Sequence, residues 1–185
     1  MLPAMIMPPF LFLFIASAGS VLVADSKTSH PFVDLQVAGL VVGKNNIHQA
    51  FLLYGDKGIR TEGFHGDNWC FYSEQDMAYL LLALHESTIE TITIYNLTTK
   101  IGQQCKKSVI RNTKLTSGKG IGLGDSSQKV LKTYGPPGKK YSKNGLLVIE
   151  YHTDYEQDRD VRLYYDAYLY FKNGKLVKLI VHDGE

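Results

Sequence analysis

Apolar residues recur at helical spacing in two separate segments of the chain. In the first segment the spacing i, i+3, i+4 and i+7 predicts a helix with one buried face. That face consists of Ile47, Ala50, Phe51 and Tyr54. Asn45 or Asn46 can cap the start of this helix, and Gly55 can end it. A second helix is predicted after residues 125–128, which have the form of a capping box with Asp125 or Ser126 as the cap. Its apolar stripe consists of Val130, Leu131 and Tyr134.

Apolar runs of strand length follow each of the two predicted helices. After the first helix they lie at 69–72, 79–84 and 89–95, and after the second at 146–151, 163–171 and 176–182. Asn173-Gly174 joins the last two runs, and this dipeptide is the strongest short hairpin signal because both turn positions need a positive φ. The order of elements predicts an α+β fold, with short helices packed on an antiparallel β-sheet.

The two halves of the chain share short sequence features. Residues 40–43 and 121–124 are similar apolar, glycine-containing segments that precede the two helices, and each helix ends in Tyr-Gly. We therefore predict two tandem helix-plus-sheet units, at 31–96 and 120–185, joined by a basic connector at 97–119. The alternative is one continuous α+β domain in which the similarity is coincidental.

The second helix and its flanks also resemble a known family. The segment 121–137, with its Gly-Leu-Gly-Asp-Ser start and its Tyr-Gly-Pro-Pro end, resembles the opening helix of the beta-lactamase-inhibitor-protein-like fold. The same pattern is found in outer-membrane assembly lipoproteins of the SmpA/OmlA type. The resemblance implies an exported α+β module that binds other proteins. The chain lacks the acylated cysteine of the lipoproteins, and no inhibitory contact residue of the beta-lactamase inhibitor is matched.

Residues 1–24 have the pattern of a signal peptide. Residues 10–23 carry no charge, and small residues follow the apolar run, so cleavage is expected after Ala18 or Ala24. The alternative is an uncleaved anchor, although the run is shorter than the roughly 20 residues of a membrane-spanning helix. We therefore expect a periplasmic or secreted protein, without stable membrane insertion after cleavage.

The chain has two cysteines, Cys70 and Cys105. In an exported protein an isolated pair most often forms a disulfide, which here would close a loop of about 35 residues. The alternative is a cysteine nucleophile, but nothing marks the nearby His65 as its base. The sequence therefore predicts a Cys70–Cys105 disulfide.

The charge of the chain is small but unevenly placed. A net charge of +2 excludes a uniformly basic nucleic-acid binder. Basic residues dominate the connector and the exit of the second helix, and we predict that they bind an acidic partner, either a protein or an anionic envelope surface. These residues are Lys106, Lys107, Arg111, Lys114, Lys139, Lys140 and Lys143. If the two units pack side by side, the two groups would share one edge of the molecule; the alternative is that they point in different directions and aid solubility.

No motif in the chain points to a cofactor, a metal or a catalytic group. The glycines at 118–124 miss the spacing of nucleotide-binding loops, and the acids at 154–160 miss the calcium-loop pattern at Arg159 and Tyr165. His152-Thr153-Asp154 and His182-Asp183 could be ligands or bases, but we interpret them as strand-edge surface residues, which is the commoner explanation.

The sequence thus predicts an exported, non-catalytic protein-binding module, of inhibitor or immunity type. The alternative is a small envelope hydrolase or an envelope-assembly or maintenance factor. An aromatic sheet face would favour the binding module, whereas a pocket in which a histidine meets a carboxylate would favour the enzyme.

Overall fold

The structure is a computed structural model that describes residues 34–63, 66–96, 104–158 and 161–184. The predicted signal segment and its cleavage sites after Ala18 and Ala24 lie outside the described residues. In chain order the elements are β1 (Gln36–Val37), β2 (Leu40–Val41), α1 (Ile47–Tyr54), β3 (Ile59–Gly63), β4 (Gly66–Ser73), β5 (Ala78–His85), β6 (Thr88–Tyr95), β7 (Val109–Ile110), α2 (Ser127–Tyr134), β8 (Lys139–Lys143), β9 (Leu146–Asp158), β10 (Val161–Lys172) and β11 (Lys175–Gly184). In this part of the chain no helix is long and apolar enough to cross a membrane.

The strands of both halves form one sheet. Its order is β3-β4-β5-β6-β11-β10-β9-β8 with antiparallel neighbours, and β7 pairs in parallel with the end of β4. The halves meet where β6 pairs with β11, from Thr91 opposite His182 to Tyr95 opposite Lys178. The α+β prediction is therefore confirmed as a mostly antiparallel sheet with short helices. The described residues do not support two separate helix-plus-sheet units, because one sheet continues across the boundary between the halves.

The helix ends follow from local side-chain chemistry. Asn46 caps α1 in a full capping box with Gln49, and Gly55 ends the helix in the left-handed region at φ 67°. In α2 the cap is Ser126, which accepts a hydrogen bond from the Lys129 N–H. The predicted capping box at 125–128 is wrong, because a cap at Ser126 places a lysine instead of a glutamine at the third helical position.

The hydrophobic core lies between the two helices and one face of the sheet. The residues of the helices that are buried there are Ile47, Ala50, Tyr54, Val130 and Tyr134. The Tyr54 ring packs against Phe71 of β4, with centroids 5.0 Å apart, and the Tyr134 ring packs against Tyr151 of β9 at 5.6 Å. Because both helices contact the same core cluster, they lie on the same face of the sheet. Neither helix covers the other face.

Candidate binding face

Side chains alternate between the two faces of a sheet, so each strand also presents residues away from the helices. We call this second surface the open face. The strand register places one row of large side chains straight across it. From β4 to β8 the row reads Tyr72, Tyr79, Tyr95, Lys178, Tyr170, Val148 and Tyr141.

The connector covers the β4–β5 part of the open face. Cys70 of β4 is bonded to Cys105, with the two Cα atoms 5.3 Å apart, which confirms the predicted disulfide. Both cysteines are buried in a small cluster with Tyr79 and Tyr95, and the Lys106 ammonium lies 5.5 Å from the centre of the Tyr72 ring. The bridge thus fixes the connector on this side of the sheet, and it indicates an oxidising, non-cytoplasmic compartment.

The part of the open face on β8–β11 is arranged differently. Here β8, β9 and β10 form a shallow cleft of about 480 Å³. Its lining residues are Gly138, Lys139, Glu150, His152, Tyr164, Asp166 and Tyr168. The His152 side chain in this cleft is 47% exposed, and no described element lies over it. We call β8–β11 of the open face the tyrosine face.

His152 is held between two carboxylates. Its Nδ1 lies 2.6 Å from Asp166 Oδ1, and its Nε2 lies 3.0 Å from Asp154 Oδ1. The Tyr164 ring lies beside the imidazole, with centroids 5.7 Å apart. The hydrogen bond to Asp166 raises the pKa of His152 above its usual value; burial opposes this effect and Asp154 adds to it.

The other polar groups of the cleft are paired with one another. Asp166 is almost fully buried, and its Oδ2 accepts a hydrogen bond from the Tyr168 hydroxyl at 3.0 Å. Burial raises the pKa of Tyr168, and Asp166 and Glu150 raise it further. The Lys139 ammonium lies 3.1 Å from Glu150 Oε1. The cleft therefore presents phenol hydroxyls and a paired charge network at its floor.

This geometry does not build a catalytic dyad. A general base needs a free ring nitrogen, whereas both nitrogens of His152 are within hydrogen-bond distance of carboxylates. The residues that line the cleft include no serine, threonine or cysteine that His152 could activate. In the ranges that the structure describes, no group of three His, Cys, Asp or Glu side chains is placed to hold a metal ion.

The predicted partner-binding residues fall into two groups on opposite edges of the sheet. Lys106, Lys107, Arg111 and Lys114 are exposed in the connector around β7, and Lys139, Lys140 and Lys143 are exposed on β8. Six strands lie between β7 and β8 in the sheet order. The expectation that both groups share one edge is wrong, because the halves join through their last strands, β6 and β11, and so place β7 and β8 on opposite outer edges.

His152 and Asp166 were not predicted as site residues. His152 and Asp154 are two residues apart in a strand, so they share one face. Asp166 is a single acid in the middle of an otherwise tyrosine-rich and apolar run, which is the signal that could have marked it. Their meeting depends on the pairing of Asp166 with His152 across β9 and β10, and one sequence does not determine that register.

Comparison with known proteins adds little to this geometry. A scan against protein-family models finds no match, and a search of curated proteins finds none either. Among solved structures the chain is weakly similar to a protein from Streptococcus mutans that was provisionally described as a beta-lactamase inhibitor protein. The identity is 17%, the match covers 83% of this chain and 93% of that one, and the TM-score is 0.28. An overlap this low carries no conclusion about function.

Proposed function

We propose that this chain is an exported, non-catalytic protein-binding module, of inhibitor or immunity type, and that its tyrosine face binds an acidic partner protein. The observation that supports the proposal is the concentration of half-buried tyrosines on a sheet face over which no described element lies. Tyr164, Tyr168 and Tyr170 stand on alternate positions of β10 and thus point to the same side. Tyrosine provides a large, rigid contact area at low entropic cost, and it is enriched where binding energy concentrates.

The charges around these tyrosines favour an acidic partner. The register places Lys139 and Lys143 of β8, and Lys178 of β11, on the tyrosine face. Lys178 lies 5.4 Å from the centre of the Tyr170 ring, and burial lowers its pKa. Lys139 already neutralises Glu150. An acidic surface on the partner would compensate the remaining lysines and accelerate association.

The two basic groups then have different roles in the proposal. The β8 group, Lys139, Lys140 and Lys143, borders the tyrosine face. Lys139 and Lys143 belong to the binding surface, whereas Lys140 alternates to the other side of the strand, opposite Ile149. The connector group lies beyond six intervening strands, and the seven spacings of about 4.8 Å amount to roughly 34 Å along the sheet. That distance is several Debye lengths at physiological salt, so the connector group acts independently of the binding surface.

The test is affinity capture from an envelope extract, followed by measurement with variants. We expect Tyr168→Ala combined with Tyr170→Ala to weaken binding of the captured protein at least tenfold, because buried tyrosine anchors contribute most of the binding energy. The control is Leu52→Ala, which truncates a residue of α1 that is 85% exposed on the other side of the sheet. Equal affinity of both variants for the captured protein would contradict the proposal.

A small hydrolase is the second candidate, because a histidine and two carboxylates do meet in the cleft. The hydrolase proposal requires His152 to be essential for turnover. Assays of the native chain and of His152→Gln against a panel of general hydrolase substrates separate the two candidates. Hydrolysis by the native chain that is lost in His152→Gln would show that the protein is an enzyme and would reject the non-catalytic binding module.

We also propose that the chain is a tandem of two related units that share one sheet. Matching backbone hydrogen bonds support this: the Gly43 N–H donates to the Ile89 carbonyl at 2.9 Å, and the Gly124 N–H donates to the Leu176 carbonyl at 2.8 Å. In return the Ile89 N–H donates to Asn45, and the Leu176 N–H donates to Asp125. Each helix start is thereby attached to the final hairpin of its own half.

Export is proposed from the leader sequence together with the disulfide. The mature protein should begin at Gly19 or Asp25, after cleavage behind Ala18 or Ala24. N-terminal sequencing of protein recovered from the periplasm or the medium checks this. A chain that still begins at Met1 would identify an uncleaved anchor.

A further inference from the structure

We propose that the tyrosine face is regulated by a proton on His152, and that affinity for the acidic partner rises as this proton binds. This inference rests on the proposed function, since it concerns regulation of the same surface. Its structural basis is the position of one imidazole between two carboxylates, where it lines the cleft beside Tyr164.

The hydrogen-bond chemistry of the cluster requires the proton. An ionised carboxylate only accepts hydrogen bonds, and a neutral imidazole has a single N–H to donate. His152 can therefore satisfy Asp154 and Asp166 together only as the imidazolium ion. Loss of the proton removes one of the two bonds.

Burial decides which bond is lost. The Asp166 side chain is 13% exposed and needs its donors, whereas the Asp154 side chain is 68% exposed and can turn to water. After deprotonation the remaining N–H stays with Asp166, and the lone pair on Nε2 faces the Asp154 carboxylate. Their repulsion separates Asp154 from the ring, so the exposed side of the imidazole loses its partner.

The same proton changes the charge of the surface. Around His152 the charged and titratable groups are Lys139 on β8, Glu150 and Asp154 on β9, Tyr164, Asp166 and Tyr168 on β10, and His182 on β11, which pairs with Asp166 across the strands. Binding of the proton to His152 adds one positive charge to the tyrosine face, which favours an acidic partner in the protonated state.

The direction of the switch follows from the pKa of His152, which is raised, mainly by Asp166. The bridge is therefore complete below the ordinary histidine value of about 6.5 and is lost as the pH rises through the higher folded-state value.

The first arm of the test needs no partner. The imidazole protons of His152 are titrated by NMR in the disulfide-intact mature chain, with His152→Gln for assignment. We expect a midpoint above about 6.5 that falls in Asp166→Asn and, by less, in Asp154→Asn. Asp154 is exposed, so its variant tests the bridge even if Asp166→Asn does not fold. A midpoint that neither variant changes would overturn the switch.

The second arm measures binding with poly-L-glutamate as the acidic probe and poly-L-lysine as the control of opposite charge. We expect the affinity of the native chain for poly-L-glutamate to rise several-fold as pH falls through the His152 midpoint, and this step to be absent in His152→Gln. His85→Gln, which removes an exposed histidine at the end of β5, should keep the step. Identical pH profiles of the native chain and His152→Gln would overturn the regulation.

The two arms separate failure of the switch from failure of the proposed function. The expected shifts of the His152 midpoint could be observed while Tyr168→Ala with Tyr170→Ala leaves the affinity for the captured partner unchanged. This combination would reject the tyrosine face as the binding surface and support the proton bridge. If the tyrosine variants lose partner binding but the His152 midpoint is the same in the aspartate variants as in the native chain, the binding surface is supported and the proton bridge is rejected.

Discussion

The two halves of the molecule share the same arrangement of helix and strands but differ in what lies on the open face of the sheet. In each half a helix of eight residues is attached to the last hairpin of four consecutive antiparallel strands, and a buried tyrosine near the helix end packs on an aromatic ring of the sheet. On the open face the first half carries a disulfide-bonded connector over Cys70, whereas the second half carries the cleft around His152.

This difference shows how one sheet can be stable on one side and available for binding on the other. An aromatic row that runs across a whole sheet would expose a large apolar surface. The connector removes Tyr79 and Tyr95 from solvent in the first half. In the second half, polar partners and edge lysines keep the tyrosines accessible, and lysines on the edge strand β8 also oppose pairing with another chain.

The largest expected effect concerns the disulfide that holds the connector on the first half of the sheet. Replacing both cysteines, by Cys70→Ala with Cys105→Ala, should lower the free energy of unfolding by about 3–4 kcal/mol, because the bridge closes a long loop in the unfolded chain. Denaturant unfolding of the variant and of the native chain gives this difference. The native chain in reducing agent provides a matched control without any substitution.

Amide hydrogen exchange on the double cysteine variant tests the comparison itself. Under conditions where the variant is still folded, protection should fall mostly in β4 and β5, beneath the connector, and little in β9 and β10. A uniform loss of protection in both halves would mean that the connector does not act as a local cover.

A matched pair of glycines should give the next largest effect. Gly43 and Gly124 make equivalent hydrogen bonds in the two halves, and both have positive φ, 70° and 86°. Alanine at either position should cost about 1–2 kcal/mol for the left-handed backbone. A Cβ at Gly43 would also clash with the Asp183 carboxylate, whereas one at Gly124 meets nothing within 4 Å. Gly43→Ala should therefore cost about 1–3 kcal/mol more than Gly124→Ala.

Thermal or denaturant unfolding of these two single variants measures the difference directly. The comparison uses the same chemical change at corresponding positions, so the unfolded-state contribution of alanine largely cancels. Equal destabilisation would show that Asp183 moves away without cost and that the two helix starts tolerate a side chain equally well.

Strong local signals in the sequence were sufficient for the helices and the inner strands. The apolar stripes gave both helices, and the six predicted strand runs lie within β4, β5, β6, β9, β10 and β11. The Asn173-Gly174 hairpin is confirmed, with both residues at positive φ. Capping, periodicity and turn chemistry act over a few residues, and for that reason they can be seen in a single sequence.

The outer strands and the cleft depend on information that is not local. β8 has the sequence KKYSK without apolar alternation, because an edge strand is paired on one side only and all five of its residues are exposed. The Asn144-Gly145 turn between β8 and β9, also at positive φ, was a signal that could have found it. The contact of His152 with Asp166, and the edge positions of the lysines, follow from strand order and register.

The smallest expected effect is the pH dependence of one helix start. The Val41 N–H donates to Asn45 Oδ1 before α1, and the Gly122 N–H donates to Asp125 Oδ2 before α2. Asn45 then bonds to the Gln49 side chain, whereas Asp125 forms an ion pair with Lys129 at 2.8 Å. The second half thus has an ionisable version of an arrangement that is neutral in the first half.

Asp125→Asn with Lys129→Gln would give the second helix the neutral pair of the first. Partial burial favours a higher pKa for Asp125, but the bonds from Lys129 and Gly122 outweigh it and hold the pKa below its usual value. A carboxyl with a lowered folded-state pKa stabilises above its unfolded value of about 3.9, and this contribution is lost as pH falls through the folded value. We expect the double variant to be about 0.3–0.5 kcal/mol less stable at neutral pH, since the lysine is half exposed and the pair is screened. At acid pH, below the folded-state pKa of Asp125, the difference in stability should vanish, because native Asp125 is then neutral as well.

Denaturant unfolding of both proteins over this pH range measures the effect. A stability difference that does not change with pH would show that it comes from packing of the new side chains and not from the charge of Asp125.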